Sequence, residues 1–228
     1  MIPVDEALEI ILSLTPRLDV EEVSLDESPS RILARDVVSD IDMPPFDRAA
    51  MDGLAVRCED TLSAPVALAL AGVVQAGRLP SRSLVAGEAV GIMTGAPVPS
   101  GADAVVPVEQ SRSLSHDRVE IRVAARLGQH IARRGTETRA GDTVLRAGTA
   151  VNPAVVAVLA AVGAVRVPVG RRPRVGLLVT GDELVEAGET PPPGCIRNSN
   201  GPALAALIRL VGGEVVPLGT VKDRADDL

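Results

Sequence analysis

Val4, Ala7, Leu8, Ile11 and Leu12 recur at three- and four-residue spacing, with Asp5, Glu6 and Glu9 between them. That period predicts an amphipathic helix reaching about Leu14, with Pro3 near its first turn. "RILARDVVSDI" reads as an extended segment leaving the helix. After Pro44–Pro45 the pattern shortens to strand length: "GLAVR", "VALALAGVV", "EAVGIM", "AVVPVE" and "RVEIRV" are divided by Gly, Pro and Ser. Residues 43 to about 130 therefore read as a mainly β module. Two Ala-Gly turns, at 140–141 and 147–148, then flank a short strand. Asn152 is placed to cap a helix with Pro153 in its first turn, ending near Gly163. "GAVRVPV" supplies one more strand.

A third texture starts at Arg171. The unbroken apolar run Val175–Val179 predicts a parallel strand buried on both faces. In "RNSNGPALAALIRLVGG", Asn200 is the expected cap, Pro202 lies in the first turn, and Leu204, Leu207, Ile208 and Val211 share a face. Gly212–Gly213 ends this helix. "EVVPLGTVKDRADDL" adds a second strand and opens another helix, which completes a βαβ unit. One helix and two strands cannot cover both faces of a parallel sheet, so this module is expected to be half of one, with apolar surface left bare.

Composition changes that picture in one respect. The chain has 228 residues, no Trp, no Tyr and one Phe, Phe46, so its cores must be built from Val, Leu, Ala and Ile. The net charge of −7 argues against a broad nucleic-acid-binding face. Cys58, Cys195, His116 and His130 form no metal-spacing motif, so any metal is expected to be a hard cation such as Mg²⁺ on oxygen ligands. The start lacks a basic n-region, and the longest apolar run, residues 154–165, is short of the ~20 residues that span a bilayer. The expectation is a cytoplasmic protein, without membrane or nucleic acid as partner.

Three places could carry chemistry. Ligands of open α/β sheets bind beyond the carboxyl ends of the strands. Asp182 and Glu183 follow the first predicted parallel strand in "TGDEL", and Asp223 follows the second. Such carboxylates could place Mg²⁺ against a phosphate, or they could simply cap helices and face solvent in turns. In "IMTGAPVPSGADAVVPVE", Thr94–Gly95 follows a strand, and small residues would let a ligand approach backbone N–H groups; a plain proline-stiffened loop is the other reading. In "PPFDRAAMDGLAV", Asp52 is either an ordinary Asp-Gly turn or an acid presented between the apolar anchors Met51 and Leu54. The P-loop, G-x-G-x-x-G and G-x-S-x-G patterns do not occur.

Taken in order, "PPFDRAAMDGLAV", "GIMTGAPVPSGADAVVPVEQ", "RRGTETRAGDTVLRAGT", "RPRVGLLVTGDELVEAGE" and "IRNSNGPALAALIRLVGG" resemble the molybdopterin molybdenumtransferase family, MoeA in bacteria and the gephyrin E domain in animals. The resemblance implies Mg²⁺-dependent insertion of molybdate into adenylylated molybdopterin with release of AMP. It implies Asp52, Glu183 and Asp223 as catalytic acids, and Asp182, Glu183 and Asp223 as metal ligands. Thr94, Gly95, Glu137, Gly181, Asp182 and Asn200 are implied as substrate-binding positions. It further implies a homodimer whose site lies between the α/β module of one subunit and the first two modules of the other, with a MogA-like adenylyltransferase as a possible partner. The sequence departs from the family at Ala49, where Ser is usual, at Leu54, where Tyr is usual, and at Glu137, where Asp is usual. The family's Ser-Gly-Gly loop, its substrate-facing lysines and its C-terminal β domain have no counterpart in these residues.

The expected architecture is a multi-domain α+β protein. Residues 1–42 with 140–169 form an elongated module, 43–139 an inserted β-rich module, and 170–228 the first half of a MoeA/MogA-like α/β module. A non-catalytic molybdopterin-binding or scaffold fragment is the alternative to a partial enzyme, and an unrelated magnesium nucleotide hydrolase is a third reading.

Overall fold

A computed structural model describes residues 2–224. The chain divides into two units, Val38–Asp142 and the flanking segments that run up to Val37 and onward from Thr143.

In the central unit, alternating side chains build one six-stranded sheet. Its strands are Gly53–Val56, Val66–Val74, Glu88–Ile92, Ala104–Pro107, Ser111–Ser115 and Arg118–Ile121. In spatial order, Ala104–Pro107 lies at one edge, followed by Gly53–Val56, Glu88–Ile92, Val66–Val74 and Arg118–Ile121, with Ser111–Ser115 at the other edge. All pairs are antiparallel except Val66–Val74 with Glu88–Ile92. Leu54 stands opposite Gly91 on one side and Val106 on the other.

The period of two sends Leu54, Val56, Leu68, Ala89, Ala104, Val106, Val119 and Ile121 into one buried cluster. It sends Ala55, Val74, Val90, Ile92 and Val105 into a second, with Ala49 from the short strand Arg48–Ala49 and Leu84 and Ala96 from the loops. Both faces are closed without large rings because small aliphatics let the covering loops come close. Thr61, fully buried, accepts the Ala125 N–H on its Oγ1 at 2.8 Å and fastens one such loop. All five predicted β runs form strands. Ser111–Ser115 was not anticipated: its Ser-Arg-Ser-Leu-Ser pattern carries almost no apolar signal, and it pairs only at the sheet edge.

In the flanking unit, helix α1 (Val4–Leu14) forms as its spacing predicts, but none of its residues is buried. Val20–Ser24 pairs antiparallel with Arg166–Gly170. Helix α2 (Pro153–Ala161) begins where expected, the Asn152 side chain accepting the Val155 N–H at 3.0 Å. Val155 and Leu159 from this helix are buried, as are Leu33, Val162, Val167 and Val169. Arg31, 7% exposed, is paired with Glu21 and donates to the Gly170 carbonyl at 2.8 Å. Thr143–Leu145 is the short strand between the left-handed Gly141 and Gly148.

Farther along, Arg174–Thr180 and Glu214–Val221 run parallel, joined through helix α3 (Asn200–Leu210). The βαβ connectivity agrees with the sequence reading, while the further helix expected after the second strand falls outside the described residues. The expected burial of Val175–Val179 on both faces does not occur: no residue of either strand is buried, since one strand neighbour and one helix leave most of the surface open. The start of α3 also differs from the reading. Asn200 is the first helical residue, and it is Asn198 whose side chain accepts the Gly201 N–H, at 2.9 Å.

Candidate functional site

Asp52 owes its position to the residue after it. A Cβ on Gly53 would lie 2.0 Å from the Val106 carbonyl oxygen, so only glycine lets these two strands approach. The Asp-Gly pair is thus more than a turn. It brings the carboxylate to the start of a central strand, and there the Asp52 Oδ1 accepts the Thr94 N–H at 2.6 Å and the Thr94 hydroxyl at 2.8 Å. The backbone bond first, then the hydroxyl, holds the Asp52 carboxyl below its ordinary range. Both residues are exposed. Gly95 follows with φ near +80°, and its N–H donates to the Ala49 carbonyl at 2.9 Å. Two motifs 42 positions apart, each ambiguous alone, are therefore joined by hydrogen bonds, Thr94 donating to Asp52 and Gly95 to Ala49.

Glu137 is placed by a different contact, accepting from Arg48 Nη2 at 2.8 Å. Arg48 lies beside Ala49, and Ile131–Ala132 pairs with this dipeptide. Nearby carboxylates were not singled out from sequence. Asp47 accepts the Arg134 N–H at 2.9 Å and Arg133 Nη1 at 2.5 Å. Asp42 accepts the Ala140 N–H at 3.0 Å and Arg134 Nε at 2.6 Å. The backbone N–H is the largest cause holding each carboxyl below its ordinary range. These pairs span 86 to 98 positions, and only the run of arginines at 133, 134 and 139 hinted at them.

The other acids lie in the flanking unit. Thr180 is in register with Val221, and the Gly181 N–H donates to the Val221 carbonyl at 3.1 Å, so the turns carrying Asp182–Glu183 and Asp223 leave adjacent strand ends. Gly181 is buried, and a Cβ there would meet Glu183 Oε2 at 2.8 Å. Asp182, Glu183, Asn200 and Asp223 are exposed. Among the described residues no three His, Cys, Asp or Glu side chains stand close enough together to hold a metal ion. Asp182, Glu183 and Asp223 therefore do not by themselves form the oxygen cage that Mg²⁺ requires. The residue missed here is Asn198, 7% exposed, whose Nδ2 also donates to Thr220 Oγ1 at 3.4 Å and so ties the α3 start to the second parallel strand. Asn198, Ser199 and Asn200 are all good capping types, and local sequence does not choose between them.

The chain is a mixed α+β protein that presents an acid–threonine pair in one unit and strand-end acids in the other. Residues 2–163 match the MoeA N-terminal region (domain I and II), and the chain belongs to that family. It is 38% identical over 231 residues to the molybdopterin molybdenumtransferase of Staphylococcus aureus strain Mu50, covering 100% of this chain and 54% of that protein. It is 40% identical over 228 residues to the protein of that name from Nostoc sp. PCC 7120, covering 96% of this chain and 52% of the relative. A crystal structure of the molybdopterin biosynthesis MoeA protein from Pyrococcus horikoshii OT3 superposes with a TM-score of 0.90 at 36% identity, covering 99% of this chain and 61% of that one. The chain thus spans about half the length of the curated relatives it matches.

Proposed function

We propose that this chain contributes to molybdenum cofactor biosynthesis as part of an enzyme that inserts molybdate into adenylylated molybdopterin and releases AMP. The observation that carries the reading is the Asp52–Thr94 pair, in which two separate family motifs meet through hydrogen bonds, with Gly95 donating to Ala49 beside it. An ionised, pre-oriented carboxylate can hold a substrate donor or a proton in a fixed place without having to reorganise. Glu183, Asp182 and Asp223, with Gly181 and Asn200, would contribute at the parallel strand ends, and Glu137 beside Arg48. The family reaction's dependence on Mg²⁺ would need ligands beyond the Asp182, Glu183 and Asp223 trio. We further propose a cytoplasmic homodimer, a MogA-like adenylyltransferase as the supplier of substrate, and three modules at 1–42 with 140–169, 43–139 and 170–228, the last MogA-like. No helix among the described residues is long and apolar enough to cross a membrane.

A second reading, a non-catalytic molybdopterin-binding or dimerisation fragment, is favoured by the ungathered acids. The test measures molybdate-dependent AMP release by this chain alone and by this chain joined to the C-terminal half of a full-length relative. The joined protein should turn over, and its Asp52→Ala and Glu183→Ala variants should each lose at least about 100-fold. Unchanged turnover in both variants would overturn the site, and ligand binding by a joined protein without turnover would favour the fragment.

A further inference from the structure

The chain's one aromatic side chain stands in the same strip of structure as the Asp52–Thr94 pair. The Val98 N–H donates to the Asp47 carbonyl, the Ala49 N–H to the Ala96 carbonyl and the Gly95 N–H to the Ala49 carbonyl, each at 2.9 Å. Arg48 and Pro97 form a further bridge. Residues 47–49 are thereby zipped to 95–98, and Phe46 falls at the end of the zipper away from Thr94. Here Phe46, Gly77, Arg78, Leu79 and Pro97 line a cavity of about 150 Å³. Phe46 is 40% exposed and Leu79 84% exposed. The Arg78 N–H donates to the Gln75 carbonyl at 3.1 Å and Gly77 takes φ near +76°, so a tight turn sets the opposite wall. Pro97 is three residues from Thr94, which puts it within about 11 Å along the chain.

We propose that this cavity binds one flat nitrogen-heteroaromatic ring of the substrate, held against Phe46 with Pro97 and Leu79 at its sides and the Arg78 guanidinium at its edge. This deepens the function proposed above and rests on it for the identity of the ligand. The volume is below the about 300–1,000 Å³ that encloses a whole drug-sized molecule, and it suits a single ring system. An apolar floor with one aromatic face and one cation is the chemistry that stacks such a ring. A chain that builds its cores without aromatics has no packing need for a half-open Phe here. Adenylylated molybdopterin carries two candidate rings, pterin and adenine, and both present the same stacking face.

The lack of Trp and Tyr makes the test direct, because Phe46→Trp would carry the only indole in the chain. Its emission is followed during titration with pterin-6-carboxylate and, separately, with AMP, corrected for ligand absorbance. At saturation one of the two should quench by about half or more, while Leu114→Trp on the edge strand should change by no more than about a tenth. Quenching by pterin places the pterin end in the cavity, and quenching by AMP places the adenine end there. As a second measurement, Phe46→Ala should weaken binding of the quenching ligand to the otherwise unaltered chain by about tenfold, read from pterin fluorescence anisotropy or by calorimetry with AMP. Equal quenching in the two tryptophan variants, no quenching by either ligand, or unchanged affinity in Phe46→Ala would overturn the proposal. Quenching at Phe46→Trp alongside undiminished turnover in both Asp52→Ala and Glu183→Ala would sink the acid-site assignment and leave the ring site standing. The opposite pair of results would sink only the ring site.

Discussion

Along Gly53–Val56 and Ala104–Pro107, Ala55, Val56, Ala104, Val105 and Val106 are fully buried, whereas Arg174–Thr180 has no buried residue although five of its seven positions are Val, Gly or Leu. The two regions draw on nearly the same small aliphatic vocabulary. They differ in layers. The six-stranded sheet has neighbours on both sides of each inner strand and loops over both faces. The parallel pair has one neighbour and one helix, so Val175, Leu178, Leu207 and Leu218 stay exposed. Burial depends on what surrounds a strand, and a hydrophobic run is only a request for it.

The same substitution made in both regions should break this comparison most sharply. In Gly53→Ala the new methyl group meets backbone at 2.0 Å inside a closed sheet, and the loss should be about 4 kcal/mol or more. In Gly176→Ala it meets the Cδ1 end of Leu218 at 3.1 Å on an open pair, where a rotamer change relieves it for under about 1 kcal/mol. Urea melts of the whole chain followed by circular dichroism would measure both. Equal losses would show that the parallel pair is as tightly confined as the sheet.

Truncating a side chain tests the same difference with a smaller expected effect. Ile121→Ala, at a fully buried position, should cost about 3 kcal/mol through lost transfer energy plus an unfilled cavity. Leu178→Ala, at a position 36% exposed, should cost about 1 kcal/mol, since solvent already reaches the site and no cavity forms. A Leu178→Ala cost matching that of Ile121→Ala would mean that another surface covers this face in solution.

Sequence alone carried much of this architecture because its period signals were local. Asn152–Pro153 announced α2, and each predicted β run became a strand. What was not legible depended on partners far along the chain. The burial of Val175–Val179 required other layers, and the Arg48–Glu137 and Asp47–Arg133 pairs join residues more than 80 positions apart. The candidate site lies between these cases. Asp52 and Thr94 were each readable as special, but their mutual bond needed the register that sets Gly53 opposite Ile92. The choice of Asn198 over Asn200 was illegible for a subtler reason: what decides it is which side chain reaches the Gly201 N–H.

That capping asparagine supplies an intermediate test. Asn198→Ala leaves the Gly201 N–H without its acceptor in a buried setting, and should cost about 1–2 kcal/mol. Asn200→Ala should cost under about 0.5 kcal/mol, because an exposed position inside the first turn favours alanine. The reverse ranking would restore Asn200 as the structural cap.

The smallest effect is electrostatic, and it asks how firmly the central unit holds its candidate acid. With its folded pKa depressed, ionised Asp52 favours the folded chain above the ordinary aspartate value of about 3.9. Below that value the unfolded chain takes up the proton first, and the contribution disappears as pH falls through the lower folded pKa. Thr94→Val removes the hydroxyl donor but keeps the N–H of residue 94, the larger of the two causes. The Asp52 pKa, followed by carboxyl carbon NMR, should therefore rise yet stop short of the ordinary value, narrowing the acid interval over which the contribution is lost. A complete return would show that the hydroxyl, not the strand backbone, orients this carboxylate, and no movement would show that the hydroxyl bond contributes nothing in solution.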